Sequence, residues 1–243
     1  MKFEDAKKLH QKKYRQQFQH YLVEGEHLVL ELARALDAGA QTLAGAQVQL
    51  FVTERYAHFA TPFATTVISE RHMAQLADTK SPQGIVAVVP LPAAAPKAAG
   101  KSKAIYLWQV QDPGNLGTIL RTLAWFGGFR CLLSPGSVDP YNPKVVRASM
   151  GAIFHVPITQ EVPLAALAQQ FDAIGCLDIE GAPLTGEAFG AQQCYVFGNE
   201  AQGVPRDALA AMQARPFSIA GCGAIESLNL ASAVNMSVYE LCR

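Results

Sequence analysis

The chain has 243 residues, of which 50% are apolar and only 16% are charged, and this balance excludes an intrinsically disordered protein. Twenty Lys and Arg residues offset twenty Asp and Glu residues, so the net charge is zero. A zero net charge excludes a general electrostatic attraction to nucleic acid or membrane, and any basic surface must be local. The low charge fraction also suggests that a second copy of the chain covers part of the surface.

The amino-terminal segment is locally basic. Its charged residues are Lys2, Lys7, Lys8, Lys12, Lys13 and Arg15 against Glu4 and Asp5. Tyr14 and Phe18 offer rings that could stack on bases, so the segment fits an RNA-contacting arm. A solvated helix face is the alternative interpretation. The segment lacks the apolar core of a secretory signal, no stretch is long enough to span a membrane, and the five cysteines are scattered, so we expect a cytoplasmic protein.

One change in composition divides the chain into two predicted domains. Residues 91–103 are rich in Ala, Pro, Gly and Lys and have no apolar period, which is typical of a linker. The linker separates a domain over residues 1–90 from a domain over residues 104–243. The elements predicted in the first domain are helices over Glu26–Leu36 and Arg71–Ala77 and strands over Val48–Val52 and Ile85–Val89. These elements predict a small α/β sandwich.

The second domain alternates strands and helices more clearly. The predicted strands are Ala104–Val110, Phe129–Leu133, Phe171–Leu177, Cys194–Phe197 and Pro216–Ile219. The predicted helices are Leu116–Phe126, Pro143–Met150, Pro163–Gln170, Pro205–Gln213 and Leu228–Leu241. Short strands separated by helices of this length predict a mainly parallel sheet with helices on both faces. Ligands of such sheets bind at the carboxyl ends of the strands, so the loops there are the candidate sites.

The loop after the first of these strands leads into a helix that carries an arginine. Asp112 begins a turn, and Asn115 is predicted to cap the helix that follows. Gly117 and Arg121 stand one turn apart on one face, so the missing side chain leaves room beside the guanidinium. An arginine near strand ends suits contact with a phosphate or a developing oxyanion. A surface arginine without a function is the alternative.

Two further loops follow buried strands. In the first, Gly198 permits close approach of a ligand to the backbone, and Glu200 lies on the turn. In the second, the strand ending at Ile219 leads through a glycine-rich bend to Ser227, which is predicted to cap the last helix, with Asn229 in its first turn. A solvated carboxylate and a plain cap are the alternatives. The chain has no P-loop, no G-x-G-x-x-G at a helix start and no zinc-ligand spacing, so we expect neither a phosphate-cradling nucleotide fold nor a metal site.

Taken together, the three loops carry an ordered set of motifs. They read N-x-G-x-x-x-R at Asn115–Arg121, G-N-E-x-x-G at Gly198–Gly203 and S-L-N at Ser227–Asn229. This order resembles the SpoU (TrmH-type) family of S-adenosylmethionine-dependent RNA ribose 2'-O-methyltransferases. Residues 139–158 resemble the stretch between the first two motifs of that family. Residues 21–36 resemble its small RNA substrate-binding domain, which is itself similar to ribosomal proteins.

The resemblance implies a fold that composition alone would not indicate. The carboxyl-terminal domain would be a SPOUT-type α/β domain with a deep trefoil knot, which ordinary topology rules disfavour. S-adenosylmethionine would bind bent in the knot, with Gly198, Ile219, Leu228 and Leu177 lining its pocket. The family is dimeric through this domain, so a homodimer is expected. The family often has a proline after the isoleucine matched by Ile219, whereas this chain has Ala220.

The same resemblance implies catalytic residues. The family's reaction requires positioning of the ribose hydroxyl and the sulfonium methyl and stabilisation of a developing alkoxide. Arg121 would stabilise the oxyanion or grip the adjacent phosphate, because a guanidinium is almost never deprotonated in a protein. Asn115 and Glu200 would orient Arg121 and the ribose, and Ser227 and Asn229 would shape the site.

The separate amino-terminal domain favours structured ribosomal RNA over transfer RNA as the substrate, because it could hold a folded RNA. Three alternatives stay open. The chain could methylate transfer RNA, or it could be a non-catalytic ribosome-assembly factor with the same fold, although such a factor would not need all five candidate catalytic residues. A small-molecule α/β enzyme is disfavoured by the basic amino terminus.

Overall fold

A computed structural model of the chain describes residues 1–92, 102–199, 201–225 and 227–243. The strands are β1 His20–Glu24, β2 Gln49–Val52, β3 Ala64–Val67, β4 Ile85–Pro90, β5 Lys103–Leu107, β6 Phe129–Leu133, β7 Ile158–Thr159, β8 Ile174–Pro183, β9 Cys194–Phe197 and β10 Arg215–Ser218. The α-helices are α1 Phe3–Ala6, α2 Lys12–Phe18, α3 Glu26–Asp37, α4 Glu70–Leu76, α5 Pro113–Phe126, α6 Pro143–Ala148, α7 Leu167–Gln170, α8 Glu187–Gly190, α9 Arg206–Ala211 and α10 Leu230–Cys242.

The described residues form two compact units. One contains those of Met1–Pro96 together with Asp139–His155, and the other contains those of Lys97–Val138 together with Val156–Arg243. Strand β4 ends at Pro90 and β5 begins at Lys103, so the predicted linker falls between these two strands. Most of it lies outside the described residues. The domain limits 1–90 and 104–243 therefore stay a prediction.

The first unit is built on a four-stranded sheet in the order β1-β4-β2-β3. β4 is antiparallel to both of its neighbours, and β3 lies parallel to β2 at the edge. The helical stripe predicted in α3 is confirmed, because Leu28, Val29 and Leu32 are buried. Strands β1 and β3 were not predicted. All four residues of β3 are exposed, so it lacks the alternation of apolar and polar residues that marks a half-buried strand.

Arg15 corrects the interpretation of the basic amino terminus. The side chain is only 3% exposed and lies 2.6 Å from Asp139, so it is not a cation offered to RNA. Its Nη1 atom also donates hydrogen bonds to the backbone oxygens of Leu9, at 2.7 Å, and His10, at 2.8 Å. Because a buried guanidinium must be paired and hydrogen-bonded, Arg15 is a structural residue of this unit.

The segment Asp139–His155 is held to the first unit at several points besides the Arg15 ion pair. Arg147, in α6, donates a hydrogen bond of 2.7 Å to Asp78 and lies 3.7 Å from Glu24. The hydroxyl of Thr42 donates to the backbone oxygen of Phe154. These contacts explain why a segment that follows β6 in sequence is compact with the amino-terminal residues.

The second unit is built on a six-stranded sheet in the order β10-β8-β9-β5-β6-β7. Every strand pair in this sheet is parallel, which confirms the predicted mainly parallel sheet. Boundaries differ from the prediction at β8, which begins at Ile174 and continues to Pro183, and at β10, which ends at Ser218, one residue before Ile219. The helix predicted over Pro163–Gln170 is a 3-10 turn followed by the four-residue α7.

Within the described ranges, no helix combines the length and apolar character needed to cross a bilayer. The cysteines are unpaired, with Cys131, Cys176 and Cys194 buried and Cys222 and Cys242 exposed. The buried thiols behave as small apolar side chains, and burial raises the pKa of Cys176 to about 11.

Candidate functional site

The loop after β5 differs from its prediction in how the helix begins. Asp112, rather than Asn115, caps α5, because its Oδ1 accepts a hydrogen bond of 2.7 Å from the backbone N–H of Asn115. The helix starts at Pro113, a residue whose missing N–H is tolerated in a first turn. Asn115 therefore lies inside the first turn of the helix.

Arg121 lies two turns into α5, because the helix begins at Pro113 and not after Asn115. Leu116 and Leu120 are buried on the core side of the helix, whereas Arg121 is exposed. The Arg121 guanidinium forms no hydrogen bond or ion pair with any residue that the structure describes. The guanidinium therefore lies on an exposed face of the helix that follows the carboxyl end of β5.

The loop after β9 is closed by the backbone and side chain of Asn199. The N–H groups of Asn199 and Gly203 donate to each other's carbonyl oxygens at 3.0 and 2.9 Å. The Asn199 Oδ1 accepts from the N–H of Ala201, and its Nδ2 donates a bond of 2.7 Å to the backbone oxygen of Gln109. Glu200, a predicted catalytic residue, lies outside the described residues.

Asn199 is a structural residue of the site. It belongs to the predicted G-N-E-x-x-G motif, but no role was predicted for it. Its bond to Gln109 joins the loop after β9 to the loop after β5. Gln109 adopts a left-handed backbone with φ of 50°, and its N–H donates to Ser134 Oγ at 2.7 Å. The signal in the sequence was an amide directly after Gly198, a residue type able to bond two backbone groups at once.

Gly198 lies against the backbone of the same loop. A Cβ atom placed on Gly198 would be 2.2 Å from the carbonyl carbon of Gly203 and 2.4 Å from the nitrogen of Val204. When a Cβ atom lies less than 3.0 Å from another heavy atom, one of the two must move. Here the neighbours are backbone atoms, which move less easily than the end of a flexible side chain. Glycine is required at this position because two backbone segments cross there.

The third loop, like the first, differs from its prediction in the residue that caps the helix. Asn229, and not Ser227, caps α10, because its Oδ1 accepts from the N–H of Ser232 at 3.2 Å and the helix begins at Leu230. The Nδ2 of Asn229 donates a bond of 2.9 Å to Oδ1 of Asn115. The first and third motifs, which are more than a hundred residues apart in sequence, are therefore joined side chain to side chain.

The residues between β10 and α10 carry exposed apolar side chains. Ile225 is 73% exposed and Leu228 is 43% exposed, whereas Ile219 is half-buried. Residues 219–225 form no backbone hydrogen bonds with other described residues. A loop with unpaired backbone groups and exposed apolar side chains has the composition that lines small-molecule sites.

Leu177 lies where the pairing between β8 and β10 shifts. Pro216 pairs with Cys176, but the next residue, Phe217, pairs with Ala182, so the chain between them bulges out of the sheet. Asp178 in this bulge is held by two hydrogen bonds from Arg206, of 2.7 and 2.6 Å. Partial burial of Asp178 is the largest single influence and opposes ionisation. The bonds and charge of Arg206, together with hydrogen bonds from the backbone N–H groups of Ile179 and Glu180, outweigh it and lower the pKa of the carboxyl.

The structure thus brings together Asn115 and Asn229 directly and ties Gly198 to the first loop through Asn199. The other candidates lie on these loops or on the adjoining strand and helix, and the described residues show no hydrogen bond or ion pair among them: Arg121, Ser227, Leu228, Ile219 and Leu177. Within the described ranges, the arrangement offers two joined amides and a loop without backbone hydrogen bonds at the carboxyl edge of one sheet, with an exposed guanidinium two turns along the helix that follows β5.

Comparison with known proteins identifies the family. The model of the SpoU rRNA methylase family matches residues 102–239, and the model of the MRM3-like substrate binding domain matches residues 2–87. The 23S rRNA (guanosine(2553)-2'-O)-methyltransferase RlmP of Bacillus subtilis is 31% identical, over 99% of this chain and 95% of its own length.

Solved structures agree over the whole length. A TrmH-family protein from Porphyromonas gingivalis superposes with a TM-score of 0.79 at 30% identity, over 98% of this chain and 96% of its own. The SpoU methyltransferase AviRb from Streptomyces viridochromogenes, solved with AdoMet, has a TM-score of 0.81 at 21% identity over 99% and 96% of the two chains, and shows the shared fold. The chain therefore belongs to the SpoU rRNA methylase family and is a methyltransferase with a SPOUT-type α/β domain.

Proposed function

We propose that the protein transfers a methyl group from S-adenosylmethionine to a ribose 2'-hydroxyl in ribosomal RNA, in the cytoplasm. The observation that carries this proposal is the bond between Asn229 and Asn115, which joins the third motif to the motif that contains Arg121. The full-length similarity to an enzyme named for 23S rRNA 2'-O-methylation supports ribosomal RNA as the substrate class.

The methyl donor would be held by the loops after β9 and β10. Gly198 would bring the backbone close to the donor, and Ile219, Leu228 and Leu177 would supply apolar walls. The backbone groups of residues 219–225, which form no hydrogen bond with other described residues, would fit the polar edge of an adenine, and the exposed side chain of Ile225 would fit its apolar face. The donor supplies an activated methyl group, and the protein's task is to orient it.

Arg121 would act on the acceptor side of the reaction. As the oxygen attacks the methyl carbon, the C–O bond forms, the C–S bond breaks, and the hydroxyl proton leaves to water. Negative charge that develops on the oxygen would be stabilised by the Arg121 guanidinium once Asn115 and Glu200 orient it, since preorganised donors are worth most where charge develops. Asn115, oriented by Asn229, and Glu200 would align the ribose, and Ser227 would shape the site.

Each domain would have a separate role. The amino-terminal domain, residues 1–90, would hold structured RNA, as its match to a substrate-binding model suggests. The carboxyl-terminal domain, residues 104–243, would carry the chemistry and a trefoil knot. The knot is proposed from the match of this domain to the SpoU family.

We also propose a homodimer formed through α5 and α10. Trp125 is 84% exposed, and the neighbouring Phe126 packs edge-on against Tyr239 of α10, with ring centroids 6.3 Å apart. Thr122 and Asn235 join the same two helices by a hydrogen bond of 2.5 Å. An exposed aromatic patch of this kind is typical of an interface.

A single negative charge introduced at the proposed interface should dissociate the dimer. Trp125→Glu should convert the protein from twice the chain mass to the chain mass in light scattering, because a buried unpaired carboxylate opposes association. Val67→Glu is the matched control, since Val67 is also exposed, at 49%, but lies on β3 in the other unit. A Trp125→Glu protein that stays dimeric would place the interface elsewhere.

The proposed reaction is tested by mapping alkali-resistant linkages in ribosomal and transfer RNA from cells with and without the gene. A methylated ribose blocks cleavage at its own position, so one linkage in ribosomal RNA should become cleavable in the deletion strain. Restoring the wild-type gene should restore resistance, and restoring an Arg121→Ala gene should not. Loss of a mark only in transfer RNA would contradict the substrate class, and loss of no mark would favour a non-catalytic factor.

A further inference from the structure

Helix α2 and the 3-10 turn before it present two aromatic rings and two lysines outside the proposed active site. Tyr14 and Phe18 stand four residues apart, with nearly parallel rings whose centroids are 6.0 Å apart. The ammonium of Lys8 lies 6.0 Å from the Tyr14 centroid and 5.8 Å from that of Phe18. Lys13 lies 5.7 Å from the Tyr14 centroid. We call these four side chains the Tyr14–Phe18 platform.

The platform is fixed in place from the other side of its helix. Arg15, next to Tyr14 in sequence, is buried and donates to the backbone oxygens of Leu9 and His10, just before α2. Phe18 also packs with its inner side on the hydrophobic core of this unit. Side chains held in this way lose little conformational entropy when they bind a partner.

The outward side of the platform is exposed and basic. Lys8 and Lys13 are exposed and the two rings are half-buried. Lys8 also forms an ion pair of 2.9 Å with Asp5, whereas Lys13 forms none with the residues that the structure describes. The first fifteen residues hold five lysines against two carboxylates in a chain of zero net charge, so the positive potential is concentrated here.

These features match one class of ligand. Aromatic faces stack on nucleobases of any sequence, and adjacent ammonium groups neutralise the phosphates between them. A base inside a duplex has no free face, so the platform suits unpaired nucleotides. We propose that the Tyr14–Phe18 platform binds an unpaired segment of the RNA substrate by base stacking. This inference rests on the proposed function, because it assigns a surface to the RNA of the same reaction.

The test measures RNA binding separately from methyl transfer. Tyr14→Leu and Phe18→Leu remove stacking but keep an apolar side chain, so folding is preserved, as a thermal melt will verify. Each should weaken binding of a fluorescent single-stranded oligouridine about tenfold, with little effect on a duplex of equal length. Phe63→Leu, the same change in a half-buried aromatic just before β3, is the matched control.

The lysine is tested by salt dependence. Lys13→Gln should weaken RNA binding and reduce the slope of the logarithm of the binding constant against the logarithm of salt concentration by about 1, the loss of one phosphate contact. Lys80 is an exposed lysine of the same unit, and Lys80→Gln should leave this slope unchanged. With the RNA substrate, all platform variants should raise KM and leave kcat within about twofold, because the platform acts in binding only.

Binding of oligouridine by both leucine variants within twofold of wild type would overturn the platform and leave a solvated helix face. Equal weakening of single-stranded and duplex binding would also overturn it, since only unpaired bases can stack. Failure of the proposed function is distinguishable, because the wild-type protein would then transfer no methyl group to any RNA, whereas the oligouridine measurements would still decide the platform.

Discussion

Replacing Gly198 by alanine should lower both the stability of the carboxyl-terminal domain and its affinity for S-adenosylmethionine. The added methyl group would lie 2.2 Å from the Gly203 carbonyl carbon and 2.4 Å from the Val204 nitrogen, so the loop must be displaced. Overpacking of this kind costs about 1–3 kcal/mol of unfolding free energy. At about 2–4 °C per kcal/mol for a chain of this size, the melting temperature should fall by several degrees.

The loss of donor affinity is the more specific outcome. The displaced segment includes Gly203, whose bonds to Asn199 shape the loop that would approach the donor. Calorimetric titration with S-adenosylmethionine should therefore show binding weakened at least about tenfold, equivalent to about 1.4 kcal/mol.

Two controls separate this effect from a general loss of fold. In Gly190→Ala, the new Cβ meets no atom within 4 Å, so stability and donor affinity should stay at wild-type values. In Asn199→Ala, the hydrogen bond to Gln109 is lost without a steric clash, which should weaken donor binding while the protein remains folded. If Gly198→Ala binds the donor as the wild type does, the close approach of Gly198 to the Gly203–Val204 backbone has no role in donor binding.

Periodicity predicted the cores of the elements better than their ends. In α5 and α10 the apolar positions Leu116, Leu120 and Val234 are buried as expected. The starts of these helices were wrong because Asp112 and Asn115, and likewise Ser227 and Asn229, are equally good capping residue types. Which of two such residues caps a helix depends on backbone geometry, which a local sequence pattern does not contain.

The long-range contacts could not be predicted from local patterns. The motifs indicated that Asn115 and Asn229 belong to one site, but only the fold shows that their amides bond to each other. Arg15 looked like part of a basic arm because its partner, Asp139, lies 124 residues farther along the chain. A pairing of this kind depends on how the segment after β6 folds back, not on the residues around Arg15.

Replacing Arg121 by lysine should reduce kcat about a hundredfold while the KM for S-adenosylmethionine changes little. The planar guanidinium presents a fixed fork of donors to an oxyanion, and the single ammonium of lysine does not reproduce it. Removing one preorganised donor from a developing oxyanion costs about 10²–10³ in kcat. Because Arg121 is exposed and bonds to no described residue, the substitution should change the unfolding free energy by less than about 0.5 kcal/mol.

Single-turnover methyl transfer with saturating RNA isolates this chemical step. The control is Arg34→Lys, which changes an exposed helical arginine of the other unit that pairs with Glu31. Added ethylguanidinium should partly restore an Arg121→Ala variant, since Arg121 is exposed and truncation opens the space that its side chain occupies. A rise in the KM for RNA at unchanged kcat would instead assign Arg121 to gripping a phosphate. Near-wild-type turnover of Arg121→Lys would exclude the fork geometry, because any cation at that point would then suffice.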